Sequence, residues 1–99
     1  MGLICHIAYR QEWEKALADG VYTTASLQEE GFIHASDPSQ VEASFQRYYA
    51  DQTGLVKLVI DTEKLTSQLI YEWSPATEAT FPHIYGPINL DAVIEVIPY

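Results

Sequence analysis

Three histidines, His6, His34 and His83, stand far apart in the chain, and no other imidazole is present. Imidazole is the side chain that changes charge closest to neutral pH, so it suits proton transfer, hydrogen bonding to hydroxyls, or metal ligation. Structural zinc takes four protein ligands, and catalytic zinc takes three plus a water. No two of these histidines lie at short metal-binding spacing, so no metal site is assigned. Alternatively, each is a structural residue hydrogen-bonded in place. Phe32-Ile33-His34-Ala35-Ser36 followed by Asp37-Pro38 is more informative. Strand alternation puts His34 and Ser36 on one face, immediately before a helix start with free backbone N–H groups. That arrangement can hold a ribose hydroxyl, a phosphate or a carboxylate, or else Ser36 merely helps to cap the helix. Glu72 lies between Tyr71 and Trp73 in a strand-like run, and a carboxylate there must be paired or face solvent. Its chemical role would be general base or oxocarbenium stabiliser. Ser26, Tyr22 and Tyr85 could hydrogen-bond to a ring or stack on one. No Ser-His-Asp spacing, phosphate loop, GxGxxG or CxxC motif occurs.

The elements that must position these residues are readable from period and punctuation. Leu3 to Ala8 predicts a strand with Ile4, His6 and Ala8 on one face and Leu3, Cys5 and Ile7 on the other. Trp13, Ala16 and Leu17 recur at helical spacing, so Arg10 to Asp19 predicts a helix closed by Gly20. Val21 to Leu27 reads as turn or short extended chain, and Glu29-Glu30-Gly31 turns the chain into Phe32 to Ala35. Asp37-Pro38-Ser39-Gln40 has the form of a capping box, predicting a helix from Pro38 to about Asp51. Leu55 to Asp61 predicts a strand, Asp61 to Leu65 a capped helical turn, and Leu69 to Trp73 a further strand. Ser74 to Thr80 reads as a polar loop. Phe81 to Pro87, cut by two prolines and a glycine, reads as a shaped loop or edge segment. Ala92 to Ile97 closes the chain as a strand. Two main helices cannot cover both faces of a doubly wound sheet. The expectation is therefore an α+β domain, residues 1–99, with a small, mixed, strongly bent sheet.

Composition narrows the partners. The chain has 99 residues, 47% of them hydrophobic, enough apolar character for a core and enough length for one domain. Five basic residues face fourteen acidic ones, a formal net charge of -9. The bases, Arg10, Lys15, Arg47, Lys57 and Lys64, are scattered. Binding to a DNA or RNA backbone or to an anionic membrane surface is therefore not expected. No run approaches the roughly 20 apolar residues of a membrane helix. Cys5 is the single cysteine, which excludes an internal disulfide and suits a cytoplasmic protein. A domain this small would gain stability from covering an apolar face in a homodimer.

The segments Ile4-Cys5-His6-Ile7-Ala8, Glu30-Gly31-Phe32-Ile33-His34-Ala35-Ser36 and Phe81-Pro82-His83-Ile84-Tyr85-Gly86-Pro87 together resemble domain-of-unknown-function family 952, as do Gln40-Val41, Glu72 and the Val96-Ile97-Pro98-Tyr99 ending. The resemblance covers nearly the whole chain. It implies a fold similar to ADP-ribosyltransferases, an ADP-ribosylation-like fold shared with NAD-consuming RNA 2′-phosphotransferases. By that resemblance His6 would bind the nicotinamide-side ribose, His34 would lie on the second histidine-bearing strand, and Glu72 would be the catalytic glutamate. The phosphotransferases grip phosphates with several arginines, and none stands near His34 or His83 here.

Two readings of function remain open, with a third behind them. In the first, the chain is a non-catalytic small-molecule-binding or interaction module, needing no cofactor. In the second, it is a transferase or hydrolase acting on NAD or an ADP-ribose-like nucleotide. Glu72 and His83 would then be catalytic, and His6, His34, Ser36, Ser26 and Tyr85 would bind the ligand. The third is a metal-dependent hydrolase using the three histidines.

Overall fold

The computed structural model describes residues 2–99. Strand β1 (Leu3–Tyr9) is buried along its middle on both faces, as its unbroken run of apolar side chains requires. It pairs antiparallel with β4 (Leu55–Asp61), from Leu3 opposite Asp61 to Tyr9 opposite Leu55. β8 (Val93–Pro98) lies on the far side of β4, with a register shift between Val59 and Ile60. Alternation along β1 and β4 divides the core in two. Ile4, Ala8, Leu58 and Ile60 enter the larger cluster, whereas Cys5, Ile7, Leu55 and Val59 pack with Val41.

Helix α1 (Arg10–Asp19) buries Trp13 and Ala16 and ends at Gly20. There φ is 86°, and the amide donates to the Ala16 carbonyl. A side chain at this left-handed position would be strained, so the glycine does close the helix as its spacing predicts. The next element differs from expectation. Ala25–Glu30 is a helix, α2, in place of the extended chain and corner that Val21 to Gly31 predicts. Thr24 is its N-cap, accepting from the Leu27 amide at 3.3 Å, and Gly31 ends it at φ 88°. Six residues are too few to display a helical stripe, and the β-branched Thr23-Thr24 pair hides the cap. Helix α3 (Val41–Tyr48) starts later than Pro38 and stops before Asp51. Only one half of the expected capping box forms: the Asp37 amide donates to Gln40 Oε1 at 3.0 Å. The other half does not form: the Gln40 amide donates to the Asp37 carbonyl at 2.8 Å, and the Asp37 carboxylate accepts from the Tyr71 hydroxyl at 2.9 Å.

The remaining strands are β2 (Val21–Tyr22), β3 (Ile33–His34), β5 (Gln68–Ser74), β6 (Ala79–Tyr85) and β7 (Ile88–Asn89). They form a two-stranded sheet, β2-β7, and a three-stranded sheet in the order β3-β6-β5. Each pairing in the fold is antiparallel. The α+β class holds, but the single, strongly bent mixed sheet and the ADP-ribosylation-like fold that the family resemblance implied do not. The strands divide instead among three small sheets, because two-residue strands such as β2, β3 and β7 are too short to bridge the longer ladders. Among the described residues the two main helices expected, α1 and α3, are present, with the short α2 between them.

The Phe81–Pro87 segment is not a loop or edge, since most of it belongs to the central strand of its sheet. Pro82 is tolerated there for a geometric reason. The Pro82 carbonyl accepts from the Ala35 amide at 3.1 Å, so its missing N–H faces the side where β3 has already ended. Among the described residues, no helix is long and apolar enough to cross a membrane.

The central placement of β6 has a measurable consequence. Ile84 is fully buried and Ile94 on β8 is half exposed. Ile84→Ala is expected to lower unfolding free energy by about 2–5 kcal/mol, and Ile94→Ala by about 0.5 kcal/mol or less. Urea midpoints at unchanged m-value check this. Equal losses would contradict a core position for β6.

Candidate functional site

His6 is 8% exposed and projects from the middle of β1. Its Nδ1 lies 2.5 Å from the His34 carbonyl oxygen, and its Nε2 lies 2.9 Å from the Tyr22 hydroxyl. A carbonyl can only accept, so Nδ1 carries the proton. Burial pulls the His6 pKa down from 6.5 to about 4, against the opposing help of the His34 carbonyl. The ring is therefore neutral at neutral pH, Nε2 is a lone pair, and the Tyr22 hydroxyl must donate to it. Burial, followed by the charge of Glu12 and the presence of Tyr49, raises the Tyr22 pKa. Tyr22 also meets the His6 ring edge-on, with centroids 5.3 Å apart.

This pair lies in the wall of a cavity of about 560 Å³. The cavity is also lined by Ser26 and Thr24 from the start of α2, by His34 and Ser36, and by Glu12 on α1. Tyr9, Tyr48, Tyr49 and Gln52 complete the wall on the side of α3. Ser36 is buried, and its backbone is bridged to Cys5 in both directions at 2.7 and 2.8 Å. Its Oγ is 3.1 Å from Ser44 Oγ, so it does not cap a helix. Ser26 donates to the Phe32 carbonyl at 3.0 Å and lies 2.7 Å from the Thr24 hydroxyl.

Glu72, His83 and Tyr85 form a second group, which is not part of the cavity wall. The β5–β6 register places Ile70 opposite His83 and Glu72 opposite Phe81, so all three polar side chains share one face of the sheet. Glu72 Oε1 accepts from His83 Nδ1 at 2.8 Å and from the Tyr85 hydroxyl. Those bonds, Tyr85 first, hold the Glu72 carboxyl below its ordinary pKa, and sharing the same proton raises that of Tyr85. His83 stacks on Phe32 at 4.1 Å between centroids and meets the His34 ring edge-on at 5.4 Å. His34 Nε2 is 2.9 Å from Glu30 Oε2.

The seven sequence-derived candidates thus fall into two groups joined at His34. His6, Ser26, His34 and Ser36 line the cavity, whereas Glu72, His83 and Tyr85 cluster beside it. Among the described residues, no group of three or more His, Cys, Asp or Glu side chains is placed to hold a metal ion. Both ring nitrogens of His6 are already engaged, which removes it as a ligand. Glu12, Thr24, Tyr9, Tyr49 and Gln52 were missed by the sequence reading. Tyr9 and Glu12 stand at i,i+3 at the start of α1, the one periodic signal that could have paired them.

The buried imidazole makes stability depend on pH. Its folded pKa lies below its unfolded value, so the unfolded chain takes up a proton first as pH falls. Stability supplied by neutral His6 is complete above pH 6.5 and is lost between about 6.5 and 4. For a fully buried group the loss amounts to roughly 3 kcal/mol. Glu72, with a lowered folded pKa, adds a loss in the same direction below its ordinary 4.5. Denaturation of the parent chain and of His6→Gln between pH 7 and 5 isolates the first effect. The parent should lose stability over this range and the variant should stay nearly flat; parallel curves would contradict a neutral buried His6.

A family model described as a protein of unknown function, DUF952, matches residues 7–96. The crystal structure of CC0527 from Caulobacter crescentus is 34% identical with a TM-score of 0.85, covering 95% of this chain and 82% of that one. The solution NMR structure of CC0527 is also 34% identical, with a TM-score of 0.81 and coverage of 97% and 83%. No curated protein matches. With most of its length matched by that model and a fold shared with CC0527, the chain belongs to the DUF952 family of proteins of unknown function.

Proposed function

We propose that the chain is a non-catalytic small-molecule-binding module whose ligand sits in the cavity over His6 and Tyr22. The observation that carries this reading is a buried polar pair, locked in one protonation state, in the wall of a ligand-sized hollow. Small-molecule sites have volumes of roughly 300–1,000 Å³ and combine apolar walls with a few fixed polar groups. The cavity fits both criteria at about 560 Å³, with tyrosine rings beside the hydroxyls of Thr24, Ser26 and Ser36. Neither Lys nor Arg lines it. A pyrophosphate would find no cation there, which favours a nucleoside-like molecule with a ring and hydroxyls over ADP-ribose or NAD.

One observation favours the enzyme reading. The Glu72 carboxylate accepts a hydrogen bond from His83 Nδ1, a carboxylate–imidazole pair of the kind that orients the other ring nitrogen, Nε2, for proton transfer. Glu72 and His83 would then be catalytic, with Tyr85 beside them. No nucleophile or leaving-group partner is hydrogen-bonded to that Nε2, so binding remains the preferred reading.

An NMR titration separates the two. Adenosine is expected to shift the amides of Cys5 to Ile7 and of Ala25 and Ser26 saturably in the millimolar range, with ADP-ribose weaker and both recovered intact. Tighter binding of ADP-ribose, or its consumption by the parent chain but not by Glu72→Gln, would replace binding with catalysis. A lack of saturation by adenosine would remove the nucleoside-like ligand.

A further inference from the structure

We propose that the cavity selects an organic cation, a protonated amine carried on a small ring-bearing body. The inference rests on the binding reading above and adds the charge of the ligand to it.

Proton accounting around the wall carries the case. The Tyr22 hydroxyl donates to His6 Nε2, because Nδ1 holds the ring's only proton for the His34 carbonyl. Ser26 donates to the Phe32 carbonyl. Its contact with Thr24 therefore uses the Thr24 proton, while Thr24 Oγ1 also accepts from the Leu27 amide. The Tyr9 hydroxyl donates to Gln52 Oε1. Four lining hydroxyls thus have their protons committed within the wall, and what they can still offer a ligand is lone pairs. Donors remain on the opposite side, on the hydroxyls of Tyr48 and Tyr49, one proton of the Ser36–Ser44 pair and the amide group of Gln52.

Charge points the same way. Glu12 is the one carboxylate in the lining, and no Lys or Arg accompanies it. Lys15, in the adjoining groove that shares Glu12, Thr24 and Ala25, is tied to Asp19 at 2.5 Å. The field of Glu12 reaches Tyr22 and Tyr49, on both of which it raises the phenol pKa. His34, at the cavity edge, faces the Glu30 carboxylate. Four hydroxyls that offer only lone pairs, one unopposed carboxylate and several tyrosine rings match a cation with N–H donors, which rings also attract through their faces. The net charge of -9 would favour its approach.

Three probes with one ring and different heads test this: tyramine, tyrosol and 4-hydroxyphenylacetate, titrated by NMR at 0.15 M salt to screen general attraction. Tyramine is expected to shift cavity amides and to bind about tenfold tighter than tyrosol, with the anion weakest. Glu12→Gln should bring tyramine down to the level of tyrosol. Glu14→Gln, an exposed change on the same helix outside the cavity, should leave the ratio intact, and circular dichroism confirms that both variants fold. Equal binding of tyramine and tyrosol overturns the cation and leaves the binding reading standing. Preference for the anion, a ratio insensitive to Glu12→Gln, or cavity shifts from none of the three overturns the inference, while adenosine separately judges the nucleoside-like ligand.

Discussion

A buried imidazole with a carbonyl on one nitrogen and a phenol on the other has one stable arrangement. His6 reaches His34 on β3 and Tyr22 on β2 from the centre of β1, so one ring couples three strands that belong to three different sheets. Removing water from around it makes the charged form costly, and the carbonyl fixes which nitrogen keeps the proton. The direction of the Tyr22 hydroxyl follows, and so does the polarity of the cavity wall.

The scaffold serves this ring. β1 is buried on both faces because β4 and two separate core clusters enclose it, leaving His6 as a polar interruption in an apolar strand. The short sheets β2-β7 and β3-β6-β5 bring Tyr22 and His34 to it from two different ladders. His34 then links the cavity to the Glu72 group through its edge contact with His83. Two chemically distinct polar centres therefore share one residue without sharing one hollow.

The sequence disclosed elements better than their assembly. β1, α1, β4 and β5 were legible because each has a full period of apolar side chains or a clear cap. α2 was not, because six residues give no stripe, and β6 was not, because Pro82 reads as a break until the end of β3 shows why it is tolerated. Division into three sheets depends on contacts between distant segments, which local pattern cannot express. At the site, alternation put His34 and Ser36 on one face, and both line the cavity; the alternative of a helix cap at Ser36 gives way to its side-chain contact with Ser44. Glu12 and Gln52 were hidden because exposed polar residues on helices and turns look alike until tertiary structure selects a few.

The most direct test of the account is the protonation pattern of the His6 ring in the uniformly ¹⁵N-labelled protein at neutral pH. Long-range ¹H–¹⁵N correlation should show Nδ1 bearing the proton and Nε2 as an unprotonated, hydrogen-bonded nitrogen, with the pattern collapsing in Tyr22→Phe through a shift at Nε2 alone. A proton on Nε2, or a doubly protonated ring, would contradict the direction of the Tyr22 hydrogen bond and with it the lone pair that Tyr22 offers the cavity.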